Sequence, residues 1–291
     1  MILVTGAAGK TGRAIIRALS ARGALVRALV HRPAQIQALE KLGAHEVLVG
    51  DMHALTTMEQ AAQGVHRVYH ICPNVSPDEV AIGQVAIEAA RSAGVEHFVF
   101  HSVLHPQTED MPHHWGKLRV EEQLFTSGLP YTILQPAAYM QNVLAYWDQI
   151  LEQGVYPVPY AVQTRLGLVD LEDVAEAAAI VLTEPGHAGA TYELAGAEAM
   201  TQTELAALLG HKLGRSVRAR AVSPEVWEQG ARASGLGDYQ LNTLLKMFRY
   251  YECYGFWGNP RVLAWLLGRP PGTWADFIER VERERSSRDV Q

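Results

Sequence analysis

Cysteine is nearly absent: Cys72 and Cys253 are the only two in 291 residues, and they lie on opposite halves of the chain. That spacing excludes a disulfide framework and cysteine-based zinc motifs, and a reducing compartment, the cytoplasm, is the expected place of work. No run of about 18 apolar residues occurs, so no membrane-spanning helix is expected. No basic segment or apolar stretch precedes the strand that opens at Ile2, and the chain is expected to be soluble and unprocessed. Positive charge is not in excess either. A formal net charge of -6 argues against nucleic acid or an anionic membrane as partner. A Gly-x-Ser-x-Gly elbow, the mark of many hydrolases, is missing, as are internal repeats and low-complexity segments. Twelve histidines invite a metal site, and His97, His101 and His105 recur at intervals of four. They fall on a predicted strand, where four residues span roughly 13 Å, whereas zinc needs its ligands about 2 Å from one centre. No metal is expected.

What is present is an apolar interior and a glycine turn. Hydrophobic residues make up 48% of the chain, enough for one large domain or two lobes sharing a core. The first twelve residues, Met-Ile-Leu-Val-Thr-Gly-Ala-Ala-Gly-Lys-Thr-Gly, set a short apolar strand against Gly6, Gly9 and Gly12. Thr5 to Gly6 must leave the strand in a tight turn, Gly9 must let the backbone approach a pyrophosphate, and Gly12 lets the following helix pack on the strand. The amides of Ala8, Lys10 and Thr11 belong to the same turn, at the positive end of the helix dipole. Residues 13-22 have helical spacing, and Gly23 stops them before the next apolar run. This is the strand, turn and helix that a dinucleotide-binding motif requires.

Short Val-rich runs then alternate with helical stretches, the sign of βαβ units on a parallel sheet. Strands are expected at 24-31, 46-49, 68-71, 97-103 and 131-134, each apolar enough to be buried on both faces. Helices are expected at 34-42, 78-92, 114-126 and 139-151. From Gly154 the proline-punctuated Val-Tyr-Pro-Val-Pro-Tyr breaks the pattern. A further helix at 171-182 and strand at 191-194 follow, then mainly helices, one opened by the capping-box pattern Thr201-Gln-Thr-Glu204. The expected fold is therefore α/β, a doubly wound parallel Rossmann sheet with a smaller, mainly helical C-terminal lobe. Its nucleotide-binding domain is placed at 1-153 together with 162-196, the crossover at 154-161 and the second lobe at 197-291. The closing Arg-Glu-Arg-Ser-Ser-Arg-Asp is expected to be a solvated, frayed tail.

The residue ending the second strand chooses between nicotinamide cofactors. An acid there would bind the 2′-hydroxyl of NAD, but positions 30-32 read Val-His-Arg. Arg32 offers a charged planar fork to a 2′-phosphate, and Lys10 can add a second cation, so NADP(H) is expected in preference to NAD(H). The plainer alternative is that Arg32 is a surface arginine in a turn and Lys10 a solvated loop lysine. Asp51, ending the third strand, is placed either to accept a bond from the adenine amino group or to cap the next helix.

Gly-Ala-Ala-Gly-Lys-Thr-Gly, Val-Arg-Ala-Leu-Val-His-Arg-Pro, Val-Gly-Asp, His-Phe-Val-Phe-His-Ser-Val and Pro-His-His-Trp-Gly-Lys-Leu-Arg-Val-Glu-Glu-Gln-Leu together resemble the NmrA-like branch of the atypical short-chain dehydrogenase/reductases. The resemblance runs over nearly the whole chain. It implies a Rossmann lobe, a smaller lobe over the nicotinamide end and NADP in the cleft. It also implies one of two functions, since the family holds NADPH-dependent reductases of quinones and dyes as well as NADP-sensing regulators. Ordinary short-chain dehydrogenases carry Tyr-x-x-x-Lys, in which residues i and i+4 share one helix face. The matching lysine here is Lys117, and four residues earlier stands His113 rather than tyrosine. A histidine can exchange protons near neutral pH, and Ser102 matches the usual polar partner at the end of the fifth strand. The plainer reading of Lys117 is an i,i+4 surface pair with Glu121, with Glu121 and Glu122 both solvated. Tyr139 and Met140 are placed at the acceptor by the resemblance.

Six of the ten residues from Phe248 to Trp257 are aromatic, a density that calls for a buried surface: an acceptor pocket, the core of the second lobe or a subunit interface. The expected function is that of an NADPH-dependent oxidoreductase passing hydride to a small aromatic, quinone-like or conjugated acceptor, as a monomer or homodimer. Quinones take their proton from solvent, so loss of the tyrosine matters less for them than for ketones. The alternative is a non-catalytic NADP(H)-sensing regulator. Nucleotide-sugar epimerisation needs an acid/base pair of the kind that His113 replaces.

Overall fold

The strand and helix periodicities assemble as two compact units. The structure is a computed structural model that describes residues 1–289, with side chains through Ser286. The first unit comprises Met1–Pro136 and Glu172–Glu193, and the second Ala137–Leu171 and the chain from Leu194 onward. The first opens with β1 (Ile2–Val4), α1 (Lys10–Ala21), β2 (Val26–Val30), α2 (Ile36–Glu40), β3 (Glu46–Val49) and α3 (Leu55–Ala62). It continues with β4 (Arg67–His70), α4 (Glu79–Ser92), β5 (His97–His101), α5 (Pro112–Phe125) and β6 (Tyr131–Pro136). After α6 (Trp147–Gln153), β7 (Val155–Val158) and β8 (Arg165–Leu166), α7 (Leu171–Thr183) and β9 (Ala190–Leu194) return to the first unit. Then follow β10 (Met200–Thr201), α8 (Gln202–Lys212), β11 (Arg218–Ala221), α9 (Pro224–Ala233), α10 (Asp238–Tyr254), α11 (Arg261–Leu267) and α12 (Trp274–Asp289).

The first unit is a seven-stranded sheet of order β3-β2-β1-β4-β5-β6-β9, in which the pairings among β1 to β6 are all parallel. Strand order reverses between β1 and β4, and in open α/β sheets such a switch point is where ligands bind. β1 and β5 are buried at every residue, as parallel strands covered on both faces must be. β3 departs from that expectation. It is an edge strand, and its residues are half-buried or exposed. α1 turns Ala14, Ile15, Ile16 and Leu19 inward, as its spacing requires.

The expected boundary at 154 is corrected to 137. Ala137 donates its amide to Leu194 O at 3.0 Å, and Met140 donates to Val169 O at 2.9 Å. These long-range backbone bonds tie the segment after β6 into the second unit. The crossover expected at 154-161 contains β7, paired in parallel with β11, while β8 pairs antiparallel with β10. The helix expected over 139-151 is a 3-10 turn at Met140–Tyr146 followed by α6. Thr201 caps α8 as expected, accepting Glu204 N–H while Glu204 accepts Thr201 N–H. The expected frayed tail is instead the last turns of α12, exposed at Arg283 to Ser286; Val290 and Gln291 lie outside the described residues.

Candidate functional site

At the switch point, Thr5 stitches the ends of β1 and β4 together. Its Oγ1 accepts Ile71 N–H at 2.9 Å and lies 2.9 Å from His70 Nδ1. Gly6 follows with φ +57°, and a Cβ there would meet Ile71 O at 2.8 Å. At Gly12 a Cβ would fall 2.5 Å from Gly6 O and 2.7 Å from Ala7 Cα, so only glycine lets α1 start this close to the strand end. Gly9 is the N-cap of α1, and the first intrahelical bond runs from Arg13 N–H to Gly9 O at 3.0 Å. The amides of Lys10, Thr11 and Gly12 therefore precede the helical ladder. No carboxylate occupies the first turn of α1, Gly9 and Lys10 are exposed, and Ala8 is half-buried. A turn of this shape fits a pyrophosphate.

Arg32 and Asp51 follow the ends of β2 and β3. Arg32 is exposed and bonded through its backbone, its N–H donating to Gln35 Oε1 at 3.0 Å; its guanidinium has no ion-pair partner among the described residues. Asp51 does not cap α3, whose N-cap is Ala54, and that expectation is corrected. Its Oδ1 accepts His53 N–H at 3.0 Å and lies 2.7 Å from His53 Nδ1, while His53 Nε2 lies 3.4 Å from Asp78. This local turn lowers the Asp51 pKa and raises that of His53, each through their shared hydrogen bonds.

Ser102 follows the end of β5, and His113 and Lys117 stand on α5. Pro112 opens α5, and its missing N–H costs nothing at a first helical position. His113 and Lys117 stand one turn apart on one helix face. Lys117 does not pair with Glu121; that expectation is corrected. Its ammonium donates to Glu79 Oε1 at 2.8 Å and to His101 O at 3.2 Å, and lies 5.3 Å from the centre of the Phe100 ring. Nor is Glu121 solvated. It is 3% exposed, accepting from Ser102 Oγ and, at 2.9 and 3.1 Å, from Gln135 Nε2. Burial raises its pKa against those donors. Glu122 is exposed and pairs with Arg119 at 2.5 Å. Ser102 is buried, and its hydroxyl proton is turned inward to Glu121.

Burial first, and the Lys117 charge second, push the His113 pKa down to about 4, so the imidazole is neutral at pH 7. Its Nδ1 is buried with no hydrogen-bond partner among the described residues, a polar atom left over by the fold. His114 packs edge-on against it and points inward, Nδ1 lying 3.2 Å from His105 O. The histidine series is dispersed: His97 Nε2 bonds Thr132 at 2.8 Å, and His101 Nδ1 bonds the Tyr69 hydroxyl at 2.6 Å.

The remaining expected residues belong to the second unit. Tyr139 is half-buried and bridges Val169 through its backbone, whereas Met140 is 1% exposed and packs inside. The aromatic run divides. Tyr251 and Phe256 are buried and stack at 4.8 Å, and Phe248 meets Trp227 at 4.7 Å, but Tyr254 and Trp257 are exposed at 65% and 48%. A fully buried aromatic surface is thus corrected to a half-buried one.

Sequence reasoning missed Glu79, Gln135 and the burial of Glu121. Glu79 left a trace: it opens the stripe of Ile82, Gly83, Ala86 and Ala90, where an acid on an apolar helix face needs a partner.

The pattern of the NmrA-like family matches residues 1–282. The NAD(P)H azoreductase of Xenophilus azovorans is 31% identical over 281 residues, 96% of this chain and 97% of that protein. Quinone oxidoreductase 2 of Escherichia coli K12 is 31% identical over 285 residues, 97% of this chain and 98% of that protein. A crystal structure of the NADPH-dependent quinone oxidoreductase from Escherichia coli in complex with NADPH superposes with a TM-score of 0.84 at 30% identity, covering 97% of this chain and 99% of that one.

Proposed function

The chain belongs to the NmrA-like family, and from that premise we propose that it is an NADPH-dependent reductase acting on a small quinone-like or conjugated acceptor. The observation that carries the reading is the glycine turn at the β1/β4 switch point. It is closed by backbone at Gly6 and Gly12 and leaves its first-turn amides outside the helical ladder. When bound, NADPH supplies the hydride. The residues of the chain hold and orient. Residues 8-12 take the pyrophosphate, and Arg32, aided by Lys10, takes the 2′-phosphate and so favours NADP(H) over NAD(H). Lys117 takes the nicotinamide ribose hydroxyls, as its counterpart does in Tyr-x-x-x-Lys.

His113 does not act as an imidazolium acid. A base that is neutral far below pH 7 has no spare proton to release there, so it serves as a hydrogen-bonding group that orients the acceptor. This suits acceptors that draw their proton from solvent. Ser102 positions Glu121 rather than touching the acceptor. Asp51, occupied by His53, keeps one carboxylate oxygen for the adenine amino group. Two unpaired cysteines, one buried and one exposed, favour the cytoplasm as the place of work.

The test is NADPH fluorescence in one cuvette, with protein titrated in before a panel of quinones and azo compounds. Binding followed by acceptor-dependent loss of NADPH, suppressed in Lys117→Met and retained in His113→Ala at neutral pH, is the expected result. Tight binding with no consumption across the panel would overturn the reductase and leave the NADP-sensing regulator. Absence of binding would overturn the cofactor assignment itself.

A further inference from the structure

Glu79 is the first residue of α4, and its side chain is 5% exposed, an uncommon burial for a carboxylate. Removing a carboxylate from water is unfavourable unless a partner compensates. Its partner is Lys117, 2.8 Å away and itself only 15% exposed. Two further features hold the pair in place. The positive end of the α4 dipole stabilises a carboxylate in its first turn. Close packing of α4 on α5, where a Cβ on Gly83 would lie 2.6 Å from Val120, brings Glu79 across to the lysine.

An ammonium has three donors. Here one goes to Glu79 and one to the His101 carbonyl, which leaves a single N–H with its direction determined by the other two. A lysine without such anchors has much rotamer freedom to lose when it orders on a ligand. We propose that Glu79 is a positioning residue for the cofactor: it holds Lys117 immobile against β5 so that one N–H is presented to the nicotinamide ribose. The assignment rests on the reading of Lys117 as a ribose ligand given above. It gives this chain a buried acid as the anionic neighbour of the lysine, thirty-eight residues away in sequence, where Tyr-x-x-x-Lys proteins have a phenol on the same helix.

The test compares two ligands by titration calorimetry: NADPH, and adenosine 2′,5′-bisphosphate, which carries the adenine and 2′-phosphate but no nicotinamide ribose. Lys117→Met is expected to weaken NADPH roughly tenfold or more and to leave the bisphosphate within twofold. Glu79→Gln is expected to weaken NADPH roughly three- to tenfold, again sparing the bisphosphate. Glu79→Asp keeps the buried charge, and with it the fold, but pulls the carboxylate back by one methylene; it is expected to show the same selective loss. Glu79 variants that bind NADPH like the parent while Lys117→Met is weakened overturn the positioning role alone. NADPH binding unchanged in Lys117→Met overturns the ribose reading and the Glu79 role together. Equal loss of both ligands in folded Glu79→Asp makes Glu79 a structural residue only and also overturns the proposal.

Discussion

Mild acid should unfold the sheet unit well before ordinary carboxylate protonation does. His70, His97, His101 and His114 all lie in the first unit and are 0%, 9%, 6% and 1% exposed. Burial is the first cause of depression in each, and their pKa values fall to about 3, 4, 3 and 3. Their unfolded value is near 6.5. Between the folded and unfolded values the unfolded chain binds more protons, so the stability these groups contribute is complete above about pH 6.5 and is lost as pH falls towards 4. At pH 5.5, one unit below the unfolded value, each neutral buried imidazole costs about 1.4 kcal/mol, and four cost on the order of 5 kcal/mol. That is comparable with the whole stability of a typical domain, roughly 5–15 kcal/mol. Scanning calorimetry at pH 7.5, 6.5 and 5.5 should show the transition of the sheet unit falling by on the order of 10 °C. Repeating the scans in buffers of different ionisation enthalpy counts the protons taken up on unfolding. Counting His113 as well, whose pKa is also lowered to about 4, between four and five are expected at pH 5.5, and about one fewer in His70→Asn. Uptake of less than one proton at pH 5.5 would refute the assignment of these histidines as buried and neutral.

Gly12→Ala forces a Cβ to within 2.5 Å of the Gly6 carbonyl, and backbone cannot yield as a side chain can. It should cost about 1–3 kcal/mol in denaturant melts and abolish NADPH binding measured by fluorescence. Arg32→Ala should weaken NADPH roughly ten- to hundredfold and leave NADH unchanged, which a calorimetric titration of both cofactors checks. Ser102→Ala removes one of the donors to a buried carboxylate and should destabilise the first unit by about 1–3 kcal/mol in urea melts, with Gln135 still in place. A thiol reagent should modify exposed Cys253 in the native protein. Cys72, buried and with its thiol pKa pushed up first by burial and next by Glu79, should react only on unfolding.

Much of the molecule is written locally. Gly6 and Gly12 are needed where backbone meets backbone within a few residues, and a two-residue strand period or a helical stripe shows itself in a window of ten. The glycine turn, β1 to β6, the long helices α4, α5 and α7, and the capping box at Thr201 are therefore legible from residue order. So is the place of Lys117 on the same face as His113, because both stand on one helix.

What order does not carry is the partner of a charge. Lys117 has Glu121 four residues on, and a helix considered alone would pair them; in the folded unit Glu121 is taken by Ser102 and Gln135, and the lysine turns to Glu79 on a different helix. The protonation state of His113 likewise depends on burial and on that ammonium, neither of which is visible in the string. The unit boundary at Ala137 rests on backbone bonds to Leu194 and Val169, each donated across some thirty to sixty residues. Local sequence determined the turn that can cradle a dinucleotide and the periodic elements around it, since those depend on backbone geometry and nearest neighbours. Which buried charges neutralise one another was decided only by tertiary packing, because desolvation and Coulomb attraction act through space between chain segments that sequence distance does not relate.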